Sequence, residues 1–129
     1  MRVFLNGTAM SGGAHHGNIM GAPFLGAAAT APNYRFYAVG DRFPGLVPVD
    51  AGGASIAGEL YDLDEDTWFN SLLPNEPPEL RPGTIMLSDG STANAMILEL
   101  DRARPDELID ITEHGGWRAY WSSKGEPAR

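Results

Sequence analysis

Val3-Phe4-Leu5-Asn6-Gly7-Thr8-Ala9-Met10-Ser11-Gly12-Gly13 carries a short apolar strand straight into a turn of small residues. Asn and Gly tolerate positive φ, and small side chains leave the backbone N–H groups of a turn uncovered. A bend of uncovered N–H groups is a nest for a carboxylate or phosphate. The plainer reading is a tight turn after an edge strand, and local sequence alone does not separate the two. The rest of the chain has to decide what this turn is for.

Working outward, the chain reads as many short strands joined by turns. Arg2 to Leu5 is the first strand, and His15 to Met20 is a weak short helix interrupted by glycine. Phe24 to Ala31 and Tyr34 to Val39 are strand candidates separated by the turn pair Pro32-Asn33. Residues 40–45 read as a loop, and Leu46 to Val49, with Pro48 inside it, as an edge segment. Ser55 to Leu63 alternates in part, with Ile56 and Leu60 expected on one face and Glu59 and Tyr61 on the other.

Asp64 is a helix N-cap candidate, followed by Glu65 and Asp66 where the positive end of the helix dipole favours anions. Trp68, Phe69, Leu72 and Leu73 then form an apolar face, and Pro74 is expected to end the helix. After a proline-rich loop, Thr84 to Leu87 and Ala93 to Leu100 flank the hairpin signal Asp89-Gly90. Arg102 to Glu107 is polar and broken by Pro105, and the Trp117–Trp121 segment closes the ordered part. Strands outnumber helices and lie too close together for βαβ crossovers. The expected class is α+β, a small mixed or antiparallel β-barrel with flanking short helices.

Composition narrows the partners. At 129 residues the chain fits one domain, residues 1–121, with residues 122–129 expected to be a flexible tail. Net charge is −8 and no Lys/Arg cluster exists, which argues against nucleic acid. No apolar run reaches the roughly eighteen residues needed to span a membrane. Zero cysteines exclude disulfides and thiolate metal sites and fit a cytoplasmic protein. No spacing suggests a metal or another cofactor. Oligomeric state is open, and a homodimer is compatible with the sequence.

Several landmarks coincide in order: Asn6-Gly7-Thr8-Ala9-Met10; Thr30-Ala31-Pro32-Asn33-Tyr34-Arg35; Pro44-Gly45-Leu46; Gly58-Glu59-Leu60-Tyr61; Pro82-Gly83-Thr84; Asp110-Ile111-Thr112; and Gly115-Gly116-Trp117-Arg118-Ala119-Tyr120. Together, from Leu5 to Trp121, they resemble the C-terminal domain of allophanate hydrolase, here standing alone, and through it the gamma-glutamylcyclotransferase-like fold. That resemblance implies a small carboxylate-bearing substrate held by backbone N–H groups of Asn6, Gly7, Thr8, Ala9 and Met10. It also implies one of two chemistries. The allophanate hydrolase type decarboxylates an N-carboxylated amine in nitrogen metabolism, with a histidine soon after the first turn as base. Here His15 and His16 lie one or two positions out of register. The cyclotransferase type uses a glutamate as proton carrier, and Glu76 stands at the matching spacing. A non-catalytic role as accessory subunit of a separate amidase is the third reading.

The residues themselves leave the proton carrier open between Glu76 and His16. Glu76 sits among Pro74, Pro77 and Pro78, whose apolar bulk would raise its pKa, with Glu79 as a nearby substitute. His16 is a candidate because an imidazole can supply a base at ambient pH. Arg35 and Arg118 are candidate carboxylate clamps, since a guanidinium fork matches a carboxylate. Each could equally be a strand or helix brace.

Overall fold

The computed structural model describes residues 1–129. Its strands are β1 (Arg2–Leu5), β2 (Phe24–Ala29), β3 (Tyr34–Val39), β4 (Phe43–Pro48), β5 (Ala57–Asp62), β6 (Leu80–Met86), β7 (Thr92–Leu98) and β8 (Leu108–Asp110). They form one mixed sheet in the order β2-β5-β1-β7-β4-β3-β8, with β6 paired to β7. The sheet curls into a half-barrel. Its two sides are clasped at one end by the Thr30–Leu87 bridge, where Ala31 N–H donates to Met86 O at 2.9 Å. A mixed sheet with a few short helices is the α+β class expected.

β7 decides where the site lies. Along one edge it pairs with β6 over its full length, from Thr92 to Leu98. Its other edge is shared: β1 joins in parallel at Asn94, and β4 joins in parallel at Ile97. β1 and β4 therefore meet end to beginning beside β7 and must part from one another there. The first turn leaves the sheet at this branch. Gly7 packs so tightly on the incoming strand that a Cβ would stand 2.6 Å from Pro44 Cδ.

Long-range pairing moved several boundaries. Phe43 to Gly45, expected in a loop, opens an interior strand between β3 and β7. Pro44 is tolerated because its ring lies against Gly7, before β4 has joined β7 and needs a donor on that side. Pro82 and Gly83 likewise belong to a strand, because β6 is an outer strand with little ladder to lose. β8 is only three residues long and carried no signal of its own.

The Asp64 cap is present, its Oδ1 accepting the Thr67 N–H at 2.7 Å. The helical stretch behind it is not uniform. α1 (Glu65–Thr67) widens into a π-helix over Trp68–Leu72 and tightens into a 3-10 turn over Leu73–Asn75. This winding keeps Trp68 and Leu72 in the core and turns Phe69 out, leaving it 58% exposed rather than on the apolar face. Pro74 sits in the 3-10 turn instead of ending the helix before it. On β5 Glu59 and Tyr61 share one face and Leu60 the other, as expected, and it is the face of Glu59 and Tyr61 that turns inward. Glu59 and Tyr61 are buried, while Leu60 is only half-buried.

α2 (Trp117–Ser123) closes the fold and inserts Trp117, Tyr120 and Trp121 into the main core. Full burial of side chains this large contributes about 2–3 kcal/mol each from apolar transfer. The final residues, expected to form a flexible tail, turn back over this helix. Arg129 O accepts the Trp117 indole N–H at 3.0 Å, and the Arg129 guanidinium lies 4.4 Å over the Trp121 ring.

Candidate functional site

A cleft of about 150 Å³ opens where β1 and β4 diverge. A cavity of that size holds a ligand of roughly benzene volume. Phe4 and Leu5 at the end of β1, Met96 on β7, and Phe43 and Pro44 on β4 supply its apolar wall. The first turn and the loop carrying Asn75, Glu76 and Pro77 face it as well.

The turn is held by its own backbone. Met10 N–H donates to Gly7 O at 3.1 Å, Gly13 N–H to Met10 O at 2.9 Å, and His15 N–H to Thr8 O at 3.0 Å. Gly13 allows this coil, since a Cβ there would lie 2.1 Å from Thr8 O. The N–H groups of Gly7, Thr8 and Ala9 donate to nothing else in the chain. Asn6, Gly7, Thr8 and Ala9 line the cleft, whereas Met10 is buried and lines the far side of the turn. Neighbouring N–H groups without partners form a dipolar surface that favours an anion.

Glu76 follows the 3-10 turn in extended conformation, its own N–H donating to Leu73 O at 3.1 Å. Its carboxyl lines the same cleft and makes no hydrogen bond or ion pair within the chain. Burial pushes it up from 4.5 to about 7. An acid that titrates near neutral pH in an apolar cleft can both take and give a proton.

The two histidines separate. His15 lines the cleft, its Nδ1 lying 2.9 Å from the Thr8 hydroxyl. His16 does not line it. Its Nδ1 lies 2.8 Å from Ala9 O, and its ring packs beside Tyr61 with centroids 5.8 Å apart. A carbonyl only accepts, so this contact places the proton on Nδ1 of His16. The 3-10 turn begins at His16 and rotates it away from its neighbour.

Neither expected arginine reaches the cleft. Arg35 on β3 pairs with Asp110 and donates to Gly52 O at 2.7 Å. Arg118 on α2 donates to Ser11 O at 2.7 Å and lies 3.3 Å from Glu59. The cation at the cleft is Arg42, which the sequence reading missed. It is paired with Glu107 at 2.5 Å and lies over the Phe43 ring. Its neighbour Asp41, at positive φ, anchors this corner to α2 by accepting from the Tyr120 hydroxyl and from Lys124, each at 2.6 Å. The one sequence clue to Arg42 is its place two residues before the Pro44-Gly45 landmark. No group of three or more His, Asp or Glu side chains is arranged to hold a metal ion.

The curled sheet, its branch at β7 and the turn above it define a gamma-glutamylcyclotransferase-like protein. A uropathogenic E. coli-specific protein of known structure superposes with a TM-score of 0.85 at 33% identity, covering 92% of this chain and 93% of that one. The family model "Allophanate hydrolase C-terminal domain" matches residues 1–122, and the chain belongs to that family. The Kluyveromyces lactis urea amidolyase structure gives a TM-score of 0.88 at 25% identity over 97% of this chain, which spans only 8% of that one. The Saccharomyces cerevisiae urea amidolyase is 28% identical over 78% of the chain, corresponding to 6% of its own length. A Vibrio cholerae protein named "Putative gamma-glutamylcyclotransferase" is 32% identical over 89% of the chain and 93% of its own length. The domain thus occurs both as a small chain and within a far longer one. No helix is long and apolar enough to cross a membrane.

Proposed function

We propose that this chain is a small-molecule acid–base enzyme. A substrate carboxylate docks on the free N–H groups of Gly7, Thr8 and Ala9, and Glu76 moves the proton. The observation that carries this reading is that Glu76, titrating near 7 and without a partner, shares one cleft with those N–H groups. In cyclotransfer, ionised Glu76 takes a proton from the substrate amine as its nitrogen attacks the γ-carbonyl. The amide C–N bond then breaks, and the same proton passes to the leaving amine. A cyclic lactam and a free amine result, with no net proton change. The relative from Vibrio cholerae, a chain of similar size, supports this chemistry by its name.

The family match favours a second reading with the same proton carrier. Protonated Glu76 would donate to the nitrogen of an N-carboxylated amine as the C–N bond breaks and CO₂ departs. His15, beside Thr8 in the cleft, would then return a proton to Glu76. In the urea amidolyases the matched segment is part of a much longer chain, which supports a separate amidase as the partner supplying such a substrate.

The test gives the protein γ-glutamylalanine or ammonium carbamate and measures lactam formation and CO₂ release. One of the two should be accelerated. The Glu76→Gln variant should lose about 10²-fold or more of that rate, the usual contribution of a positioned acid–base group. Acceleration of neither reaction, or an undiminished rate in Glu76→Gln, would overturn the proposal.

A further inference from the structure

Glu59 is a buried carboxylate that the cleft does not contain. It is 6% exposed and sits in the middle of β5, beneath the far limb of the first turn. Four donors converge on it. Ser11 N–H lies 2.7 Å from Oε1 and the Ser11 hydroxyl 2.8 Å from Oε2. The Tyr61 hydroxyl donates to Oε1 at 3.1 Å, and Arg118 to Oε2 at 3.3 Å. Arg118 also grips Ser11 O at 2.7 Å and Ser11 Oγ at 3.1 Å. Ser11 is thus held through its N–H, its carbonyl and its hydroxyl, although its side chain lies at the surface.

A buried charge costs several kcal/mol unless it is paired and hydrogen-bonded, so four donors on one carboxylate is a fully compensated arrangement. Burial alone would raise its pKa, but the two Ser11 contacts, Arg118 and Tyr61 hold it below the usual carboxylate range. What this group fixes is a bend. Residues 7–13 are crossed by only four backbone hydrogen bonds of their own, from Met10, Gly13, His15 and His16. The near limb of the turn is fixed by Gly7 against Pro44. The far limb is fixed by Ser11 on Glu59. The free N–H groups of Thr8 and Ala9 lie between these anchors.

We propose that Glu59 is a positioning residue: it clamps Ser11 so that the N–H groups of Gly7 to Ala9 are presented to the cleft as one preformed anion cradle. The inference rests on the reading that a carboxylate docks on this turn. Preorganised donors bind an anion without first having to be ordered, so loosening one anchor weakens binding without removing any ligand contact.

The experiment titrates glutarate into the protein and follows the backbone amide NMR signals of Gly7, Thr8 and Ala9. It also follows the titration of the Glu76 carboxyl. Wild-type protein should show those three amides shifting together. Glu59→Gln keeps the shape but places an amide NH₂ against a donor, and should weaken glutarate binding about tenfold or more. It should also speed hydrogen exchange at residues 8–11 while leaving the midpoint of Glu76 in place. General loosening of the core would move that midpoint too. Ser11→Ala, at a surface position, removes only the hydroxyl's contacts with Glu59 and Arg118, keeps the N–H contact, and should give a smaller effect in the same direction, even if Glu59→Gln fails to fold. Equal glutarate affinity and unchanged exchange in the variants would overturn the positioning role. Failure of glutarate to shift these amides in the wild-type protein would instead overturn the docking reading on which it rests.

Discussion

Replacing Glu76 by Gln should make the folded chain more resistant to urea above neutral pH, and less distinctively so in acid. The carboxyl is raised from 4.5 to about 7 by burial. Each pH unit of such a shift corresponds to about 1.4 kcal/mol, so the full effect is about 3.5 kcal/mol. The folded state holds this proton more tightly than the unfolded chain. The stabilisation from the proton is therefore complete below about 4.5 and is lost as pH rises through about 7. Above that, the wild-type protein carries an unpartnered, partly buried carboxylate, and the Gln variant does not. With a urea slope of about 1–3 kcal/mol/M, the variant's midpoint should gain about 1–3 M on wild type between about pH 5 and pH 8.5. Fluorescence of the buried Trp68, Trp117 and Trp121 reports the transition. A difference between variant and wild type that is the same at both pH values would refute both the raised pKa and the proton-carrier role built on it.

Gly7→Ala should cost about 1–3 kcal/mol, since the added Cβ meets Pro44 Cδ at 2.6 Å between two fixed segments, and a lowered melting temperature would register it. Thr112→Val should destabilise by about 1–3 kcal/mol in urea unfolding, because it orphans the buried Phe36 N–H that now donates to the Thr112 hydroxyl at 2.8 Å.

Features that rest on neighbouring residues were legible in the sequence. The Asp64 cap needs only its own next turn, the Asp89-Gly90 hairpin closes over adjacent strands, and the first turn follows from its small residues. The ordered landmarks supplied the sheet as a whole. Pairing between distant segments was not legible. Pro48 made β4 look like an edge and Pro44 was read into a loop, yet the strand lies between β3 and β7 because its prolines occupy positions where no ladder donor is missing. Glu59 reads in the sequence only as sharing a strand face with Tyr61, and what covers that face is set by the first turn folding over it. The same limit divided the candidate site. Glu76 and Asn6 to Ala9 meet in one cleft, but adjacent histidines differ only in the direction a single 3-10 turn imposes, and periodicity carries no such information. Arg35 and Arg118 were good fork donors by type, and each is already engaged elsewhere.

The sharing of one β7 edge by β1 and β4 means that the cleft has no element of its own. Its wall comes from the β6–β7 hairpin, through Leu80 and Met96, and from three separate stretches of chain moored to it, around Asn6, Pro44 and Glu76. A partly unfolded molecule that kept only the local β6–β7 hairpin would have no cleft. Opening either β1 or β4 would abolish it. A ligand that occupies the cleft therefore binds only the fully assembled chain, and at about a hundred times its Kd it would add about 2.7 kcal/mol to global stability. Small molecules could then be recognised by the melting temperature they raise before any reaction is known.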